Sequence, residues 1–152
     1  ITGGVSVGDY DFTMDAFASC GVKQVFHKIR QKPGKPLLFG TRDEKAVFGL
    51  PGNPASVLTC FYEYVIPAIG RMMHSAKSIE SKRVALEHDH QKPAALTHFS
   101  KALYNGQTVS LQTGQESYKL SSFALANCLA VFPEGETVFN KGQLIDIHLL
   151  PQ

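Results

Sequence analysis

The sequence contains no tryptophan and few cysteines, and neither sign of charge dominates it. Its three cysteines, Cys20, Cys60 and Cys128, are odd in number, lie far apart and form no CxxC pair, which disfavours a disulfide framework and a zinc site. We therefore expect reduced thiols and a cytoplasmic protein. A net charge of +2 is too small for nucleic acid to be bound through bulk electrostatics, so an anionic partner must be held by a local group of cations.

Long apolar runs are also missing. The longest apolar stretch, residues 57–69, is interrupted by Glu63 and Pro67, and no charged segment followed by an apolar one opens the chain. The sequence therefore predicts neither a signal peptide nor a membrane span. With 43% hydrophobic and 18% charged residues, a chain of 152 residues can form one domain or two small ones.

The first half of the chain mixes helical and strand patterns. Apolar spacing over residues 11–20 predicts a short helix that ends before Gly21, and alternation over residues 23–31 predicts a strand. The segment KPGKPLLFG predicts a turn and a second strand through Phe39, and AVFGL at residues 46–50 predicts a strand covered on both faces. A continuous apolar stripe then predicts a helix with Asn53 as its N-cap and Pro54 as its first residue, kinked or ended at Pro67.

The second half of the chain shows a different pattern, in which short strand-like segments alternate with turns. The segments RVALEH, THFSKALY, QTVSLQT, CLAVF and QLIDIHLL are separated by NG, EGE and KG turn signals, the rhythm of a small antiparallel sheet or barrel. The fold class predicted is therefore an α/β domain with a partial, mostly parallel sheet and helices, followed by a small all-β, barrel-like domain. We place the α/β domain at residues 1–75 and the β-domain at residues 76–152.

Three loops of the α/β half, TGGVSVGD, KPGKP and LPGNPAS, have the chemistry of an anion site. Glycines let backbone N–H groups approach an anion, helix N-termini add partial positive charge, and lysines add full charges. The alternatives are that the TGG loop is only a turn, that LPGNPAS is only a helix cap and that the lysines only form a solvated face. Because loops at the carboxyl ends of parallel strands converge on one crevice, we expect the three loops together to form a binding site. Its candidate residues are Gly3, Gly4, Ser6, Lys28, Lys32, Lys35, Asn53 and Ser56.

Asp9 and Asp11 stand at the head of the first predicted helix. One interpretation is that they only favour the helix dipole. Beside lysines that hold phosphate, however, two carboxylates would repel an anion unless a hard cation such as Mg²⁺ lay between them. The sequence therefore predicts phosphate and Mg²⁺ in one crevice, with Asp9 and Asp11 as the metal ligands.

Other chemistries find less support. Ser6 lacks the GxSxG context of a hydrolase nucleophile, and no Cys-His pair stands out. His88 and His90 would share one face of a strand, but two ligands without a third favour a solvated edge over a metal site.

Four segments together, TGGVSVGDYDF, KPGKPLLFG, GLPGNPAS and TGQESYKLSSFALANCLAVFPEG, resemble the C-terminal part of molybdopterin molybdenumtransferase, the family that includes MoeA and the E domain of gephyrin. The resemblance covers essentially the whole chain. It implies a molybdopterin-binding α/β domain and a small β-barrel, and the insertion of molybdenum from molybdate into adenylylated molybdopterin, with Mg²⁺ and release of AMP. It also implies a homodimer and contact with the molybdopterin adenylyltransferase.

The resemblance assigns roles to individual residues. Asp11 becomes an active-site carboxylate, and Lys28 and Lys32 become the basic groups that face pterin phosphate or molybdate. Ser117 matches a serine that reaches a neighbouring active site, whereas Lys101 stands where the family usually has arginine and lacks the planar bidentate fork of that side chain. The residues assigned to the binding loops are Gly3, Gly4, Ser6, Asp9, Lys35, Pro51, Gly52, Asn53, Pro54 and Ser56.

The implied mechanism is metal-assisted cleavage of an anhydride, coupled to ligand exchange at molybdenum. Lysines and helix N-termini hold the phosphate charge, and Mg²⁺ near Asp9 and Asp11 polarises the phosphoanhydride. The family's N-terminal domains have no counterpart in the sequence, so we expect a fragment that is inactive alone and whose first strand is cut away. A non-catalytic interaction or scaffold module of the same fold is the alternative.

Overall fold

The computed structural model describes residues 1–5, 12–75, 79–116, 118 and 120–151. We call residues 1–75 the α/β module and residues 79–151 the barrel module. The predicted order, an α/β unit followed by a small β-barrel, is confirmed.

The sheet of the α/β module has three strands in the order β1-β3-β4, which are β1 (Lys23–His27), β3 (Leu38–Arg42) and β4 (Lys45–Gly49). Both pairings are antiparallel, so the prediction of a mostly parallel sheet is wrong for this part of the chain. The reason is the length of the connections, since parallel pairing needs a crossover of about a dozen residues or more and β3 and β4 are joined by two. A parallel bridge does join Thr2 to Leu50, beside the end of β4.

The strand predicted over residues 23–31 is divided into two. After β1, Lys28 adopts a φ of +68°, in the left-handed region, and the chain leaves the sheet. It becomes extended again as β2 (Gln31–Lys32), which pairs with the barrel module instead.

The strand predicted to be covered on both faces is exposed over its first half. Within the described residues, β4 is the edge strand of its sheet, with Lys45 and Ala46 exposed, Val47 and Phe48 half-buried and Gly49 buried. An edge position, which the uncharged AVFGL sequence does not reveal, explains this difference.

The longest helical segment comprises α2 (Pro54–Cys60), a π-helical turn (Phe61–Val65) and α3 (Ile66–Met72). The predicted N-cap Asn53 and first residue Pro54 are confirmed. Pro67 does not end the helix. It lies in the first turn of α3, directly after the π-helical turn, where the ladder of hydrogen bonds is rearranged and a missing N–H is tolerated. The short helix α1 (Thr13–Ser19) precedes β1, as predicted.

The barrel module is built from the strands that the turn signals predicted. They are β5 (Ser81–Leu86), β7 (Thr97–Tyr104), β8 (Thr108–Leu111), β9 (Cys128–Phe132) and β11 (Leu144–Leu149). The order β7-β8-β5-β11-β9 is closed by pairing of β7 with β9. The hairpin β6 (His90–Gln91) with β10 (Val138–Phe139) and the short helix α4 (Ser121–Ala124) complete the module. His88 lies outside β6, so the prediction that His88 and His90 share a strand is wrong.

Strand β2 joins the two modules. It adds to the edge of β7 in parallel, with Gln31 beside Thr97 and Lys32 beside His98. Side-chain pairs add to this contact: Arg30 forms a two-pronged ion pair with Glu134, and Glu63 of the π-helical turn contacts His148 of β11 at 2.8 Å. The KPGKP turn is therefore fixed against the barrel.

The three cysteines are free, as predicted. Burial raises the pKa of the Cys128 thiol to about 11, and burial together with Glu63 raises that of Cys60 to about 12. Both thiols stay protonated at neutral pH; Cys128 packs in the barrel core, and the Cys60 thiol donates to the Gly34 carbonyl at 3.7 Å. Among the described residues, we find no helix with both the length and the apolar character needed to cross a membrane.

Candidate functional site

A cleft of about 780 Å³ lies between the two modules. The α/β module contributes the turn over residues 31–36 and two residues at the start of α2. The barrel module contributes residues from β6 to the start of β7 and the loop over residues 114–116. Among the described lining residues, Lys32, Lys35 and Lys92 are cationic and Glu116 is the one carboxylate.

The KPGKP turn is held against α2 by close packing. Gly34 has a φ of +94°, and a Cβ at this position would lie 2.4 Å from Sγ of Cys60, so only glycine fits there. Gln31 is buried, donates a hydrogen bond to the Pro33 carbonyl at 2.9 Å and accepts one from the Tyr64 hydroxyl. These contacts fix the backbone of the turn, and the side chains of Lys32 and Lys35 remain exposed in the cleft.

The other two predicted loops are close to each other. The Gly3 amide donates to the Leu50 carbonyl at 2.9 Å, and a Cβ on Gly52 would lie 3.7 Å from the Gly3 Cα. The chain then turns into α2, whose N-cap Asn53 and buried Ser56 line the cleft.

The structure therefore brings together four of the predicted residues, Lys32, Lys35, Asn53 and Ser56, in one cleft. Gly3, Gly4, Pro51 and Gly52 belong to the neighbouring loops and Pro54 begins α2, and none of these five residues lines the cleft. Lys28 is exposed and also lies outside the lining. Ser6, Asp9, Asp11 and Ser117 lie outside the described residues. The roles assigned to all these residues stay predictions.

Lys101 is buried beside the loop that forms the barrel wall of the cleft. It is 3% exposed, and its ammonium donates to the Gly114 carbonyl at 2.8 Å. The side chain of Gln115 donates to the Lys101 carbonyl at 2.7 Å, and the Ser122 hydroxyl donates to the same Gly114 carbonyl at 2.8 Å. In this arrangement Lys101 holds the shape of the loop over residues 114–116.

The lining residues of the barrel module were not predicted as site residues from the sequence, and Lys92 and His98 are the two with the clearest electrostatic role. Burial and the charges of Lys92 and Lys32 lower the pKa of His98 to about 4, and burial and Lys92 lower that of His90. Neither residue stands in a recognisable motif. His98 sits opposite Lys32 only because β2 and β7 pair in that register, and sequence patterns do not reveal a pairing over such a distance.

The part of the chain that the structure describes contains no group of three or more His, Cys, Asp or Glu side chains that could hold a metal ion. Two aspartates predicted as Mg²⁺ ligands, Asp9 and Asp11, are not among the described residues. A second cavity of about 270 Å³ is lined by other residues, among them Glu63, His148 and Leu150, and shares none with the cleft.

Comparisons with known proteins agree on one family. A model of a probable molybdopterin binding domain matches residues 1–71, and one of the MoeA C-terminal region (domain IV) matches residues 83–150. The chain belongs to the molybdopterin molybdenumtransferase family. A family member from Nostoc sp. is 36% identical over 99% of this chain, and one from Staphylococcus epidermidis is 32% identical over 97%.

Solved structures of the MoeA type support the fold. A molybdopterin biosynthesis MoeA protein from Pyrococcus horikosii superposes on 98% of this chain with a TM-score of 0.79 and 27% identity, and a molybdenum cofactor biosynthesis protein from Pyrococcus furiosus superposes on 86% with 0.73 and 25%. The chain spans 37% of the length of the Nostoc relative and 36% of that of the Pyrococcus horikosii protein.

Proposed function

We propose that the cleft between the modules binds adenylylated molybdopterin and molybdate, and that these modules serve molybdenum insertion with release of AMP. One observation carries this proposal: the KPGKP lysines and the LPGNPAS residues Asn53 and Ser56 line the same cleft, from separate segments of a chain of this family. Anions are bound by such convergent cations and polar atoms.

The residues of the cleft support the binding and orientation of a phosphate. Lys32 and Lys35 are exposed on a turn that packing holds rigid, so their ammonium groups start from a fixed backbone. Charge that develops on the departing phosphate would be stabilised by these groups, and preorganised cations are effective because they need no rearrangement during the reaction. We assign Lys28 to the same role at longer range.

Mg²⁺ belongs to the proposal through Asp9 and Asp11. The described lining residues supply one carboxylate, Glu116, and so give no metal site by themselves. The metal, when bound, would supply Lewis-acid polarisation of the phosphoanhydride. Ser117 and Lys101 are proposed to act from the barrel module, Lys101 by holding the loop over residues 114–116.

Two partners are part of the proposal. A homodimer is supported by exposed apolar side chains on α3 and at its C-cap, namely Ile69, Met72 and Met73, because such a surface favours burial against another chain. Multi-angle light scattering would test it, and the substitution Met72→Lys should shift a dimer toward monomer. Contact with the molybdopterin adenylyltransferase would be tested by adding that enzyme in the same measurement.

The activity is tested by extending the chain at its N-terminus with the preceding domains of the Nostoc relative. We expect the extended protein to release AMP from adenylylated molybdopterin in a reaction that depends on Mg²⁺ and molybdate, and Lys32→Ala to slow it by about tenfold or more, the effect of losing one charge-assisted hydrogen bond. Lys45→Ala, which removes an exposed lysine on β4 outside the cleft, is the matched control.

A folded extended protein that releases no AMP would contradict the enzyme proposal. Binding of a protein partner through the barrel module, unchanged in Lys32→Ala, would instead support the scaffold alternative.

A further inference from the structure

The barrel wall of the cleft carries basic groups that no sequence motif marks. Lys92 and His98 line the cleft together with Lys32 and Lys35 of the α/β module. The pairing of β2 with β7 sets Lys32 and His98 side by side on neighbouring strands. Residues paired in this way project to the same face, so the first lysine of KPGKP and this histidine face a shared space.

Lys92 is buried to a degree that is rare for lysine. It is 5% exposed, and its ammonium donates hydrogen bonds to the carbonyls of Leu96 at 3.0 Å and Pro93 at 3.3 Å. Carbonyl oxygens solvate an ammonium group without cancelling its charge, and burial of an uncompensated charge is unfavourable. Within the described residues, Lys92 therefore gives the wall of the cleft a positive charge that an anion would neutralise.

We propose that Lys32, Lys92 and His98 form a subsite for a tetrahedral oxyanion, and that in mildly acidic solution His98 takes up a proton from solvent when the anion binds. The shared chemistry is that of a dianion with oxygen acceptors on every side, which both a phosphate group and molybdate present. The natural source of that anion rests on the proposed function, whereas the subsite itself stands on the residues of the cleft.

The proton uptake follows from the charges around His98. Burial, Lys92, Lys32 and His90 lower its pKa to about 4, so the ring is neutral at neutral pH. His90 carries a lowered pKa of its own, and Lys35 and Glu116 are the remaining charged groups among the described lining residues. A dianion between the lysines would offset their field and favour the imidazolium form, whose second N–H becomes a further donor to the anion.

The test uses the whole chain and inorganic sulfate, which remains a dianion across the relevant pH range. The pKa of His98 is measured from its imidazole NMR signals with and without saturating sulfate, and His98→Gln assigns the signals. We expect sulfate to raise the pKa by about one unit or more, equivalent to about tenfold tighter binding by the protonated form. His88→Gln, at an exposed histidine outside the cleft, should leave this shift unchanged.

An unchanged pKa of His98 in saturating sulfate would overturn the proposal. So would sulfate affinity in His98→Gln that matches the unsubstituted chain at every pH, because the proton would then be taken up elsewhere or not at all.

Removal of a lysine gives an independent test. Lys92→Met should raise the pKa of His98 in the free chain and weaken sulfate binding by about tenfold. If Lys92→Met does not fold, Lys32→Gln on the exposed turn carries the same expectation, with Lys45→Gln as its control. Equal sulfate affinity in Lys32→Gln and Lys45→Gln would contradict the subsite.

Competition identifies the source of the anion. Displacement of sulfate by inorganic phosphate at lower concentration than by molybdate assigns the subsite to a phosphate group, and the reverse order assigns it to molybdate. A His98 shift in a protein that releases no AMP would leave the subsite standing and refute the enzymatic function, whereas AMP release without a His98 shift would refute the subsite alone.

Discussion

Among the described residues, the barrel module buries ten residues in one continuous core, whereas the α/β module buries its apolar side chains in two separate groups of three. The first group of the α/β module is Val5, Phe17 and Leu38, and the second is Leu37, Leu50 and Cys60. The two modules also differ in the burial of their lysines, since those of KPGKP are exposed, whereas Lys92 and Lys101 of the barrel module are buried. The barrel thus forms a packed wall of the cleft with buried lysines, and the α/β module contributes the exposed ones.

The largest expected effect comes from matched truncations in the two cores. Leu86→Ala in the barrel and Leu38→Ala in the α/β module remove the same atoms from side chains that are both buried. We expect the free energy of unfolding to fall by about 4–5 kcal/mol for Leu86→Ala and by about 2–3 kcal/mol for Leu38→Ala. The second loss is smaller because the neighbours in a small cluster can move into the cavity more fully than those in a continuous core. Hydrogen exchange resolved by module would measure both. Equal losses would break the contrast between the cores.

The turn that presents the lysines is tested by two glycines with similar backbone angles. Gly34 and Gly106 have φ values of +94° and +100°, but only Gly34 has neighbours that a Cβ would meet. Gly34→Ala should lower the free energy of unfolding by about 2–4 kcal/mol and Gly106→Ala by about 1 kcal/mol. The difference between the two measures the steric clash of the added Cβ with Cys60. Chemical denaturation supplies the values. A tolerated Gly34→Ala would mean that the turn is not fixed by packing.

The two histidines at the junction of the modules should respond to pH in opposite directions. The hydrogen bond with Glu63 raises the pKa of His148 above 6.5 in the folded chain. The stabilisation from this hydrogen bond is complete at pH values below the pKa of His148 in the unfolded chain, and it is lost as the pH rises through the pKa in the folded chain. His148→Gln should therefore lower the free energy of unfolding by about 2 kcal/mol at mildly acidic pH and by less in alkali.

The contribution of His98 to stability depends on pH in the opposite direction. Its folded pKa of about 4 lies below the ordinary 6.5, so the unfolded chain binds the proton more readily between these values. Stability should therefore fall as pH decreases from 6.5 toward 4, and His98→Gln should remove that fall. Unfolding curves at a series of pH values test both histidines, with His88→Gln as the control. If His148→Gln and His98→Gln gave the same dependence of the free energy of unfolding on pH, the opposite signs assigned to the two histidines would be refuted.

The smallest effect is expected at the exposed ion pair between the modules. Glu134→Gln removes the charge that faces Arg30 at 2.7 Å, and both side chains are exposed to solvent. We expect a smaller change in the free energy of unfolding than for His148→Gln, and one that disappears at high salt. Thermal unfolding at two ionic strengths measures it. A large, salt-independent loss would mean that this pair, and not the β2–β7 pairing, joins the modules.

Local pattern was enough to predict much of this fold. The stripe over residues 57–69, with Asn53 and Pro54 before it, predicted the long helix, and turn signals predicted the barrel strands. What local pattern could not supply was pairing. Nothing in AVFGL indicates an edge strand, and only the β2–β7 register sets His98 beside Lys32.

The same limit applies to the candidate site. Lys32, Lys35, Asn53 and Ser56 stand in loops with a local signature, and the structure brings them into one cleft. The sequence did not predict Lys92 as a site residue because lysine side chains are usually solvated. Its burial depends on hydrogen bonds to two carbonyls of the β6–β7 connection, which sequence patterns do not reveal.

The central claim, that the cleft binds the molybdopterin substrate through Lys32, is tested most directly by calorimetric titration of the chain with adenylylated molybdopterin. We expect Lys32→Ala to weaken binding by about tenfold or more, and Lys45→Ala to bind as the unsubstituted chain does. Equal affinity in the two variants, both folded, would contradict it.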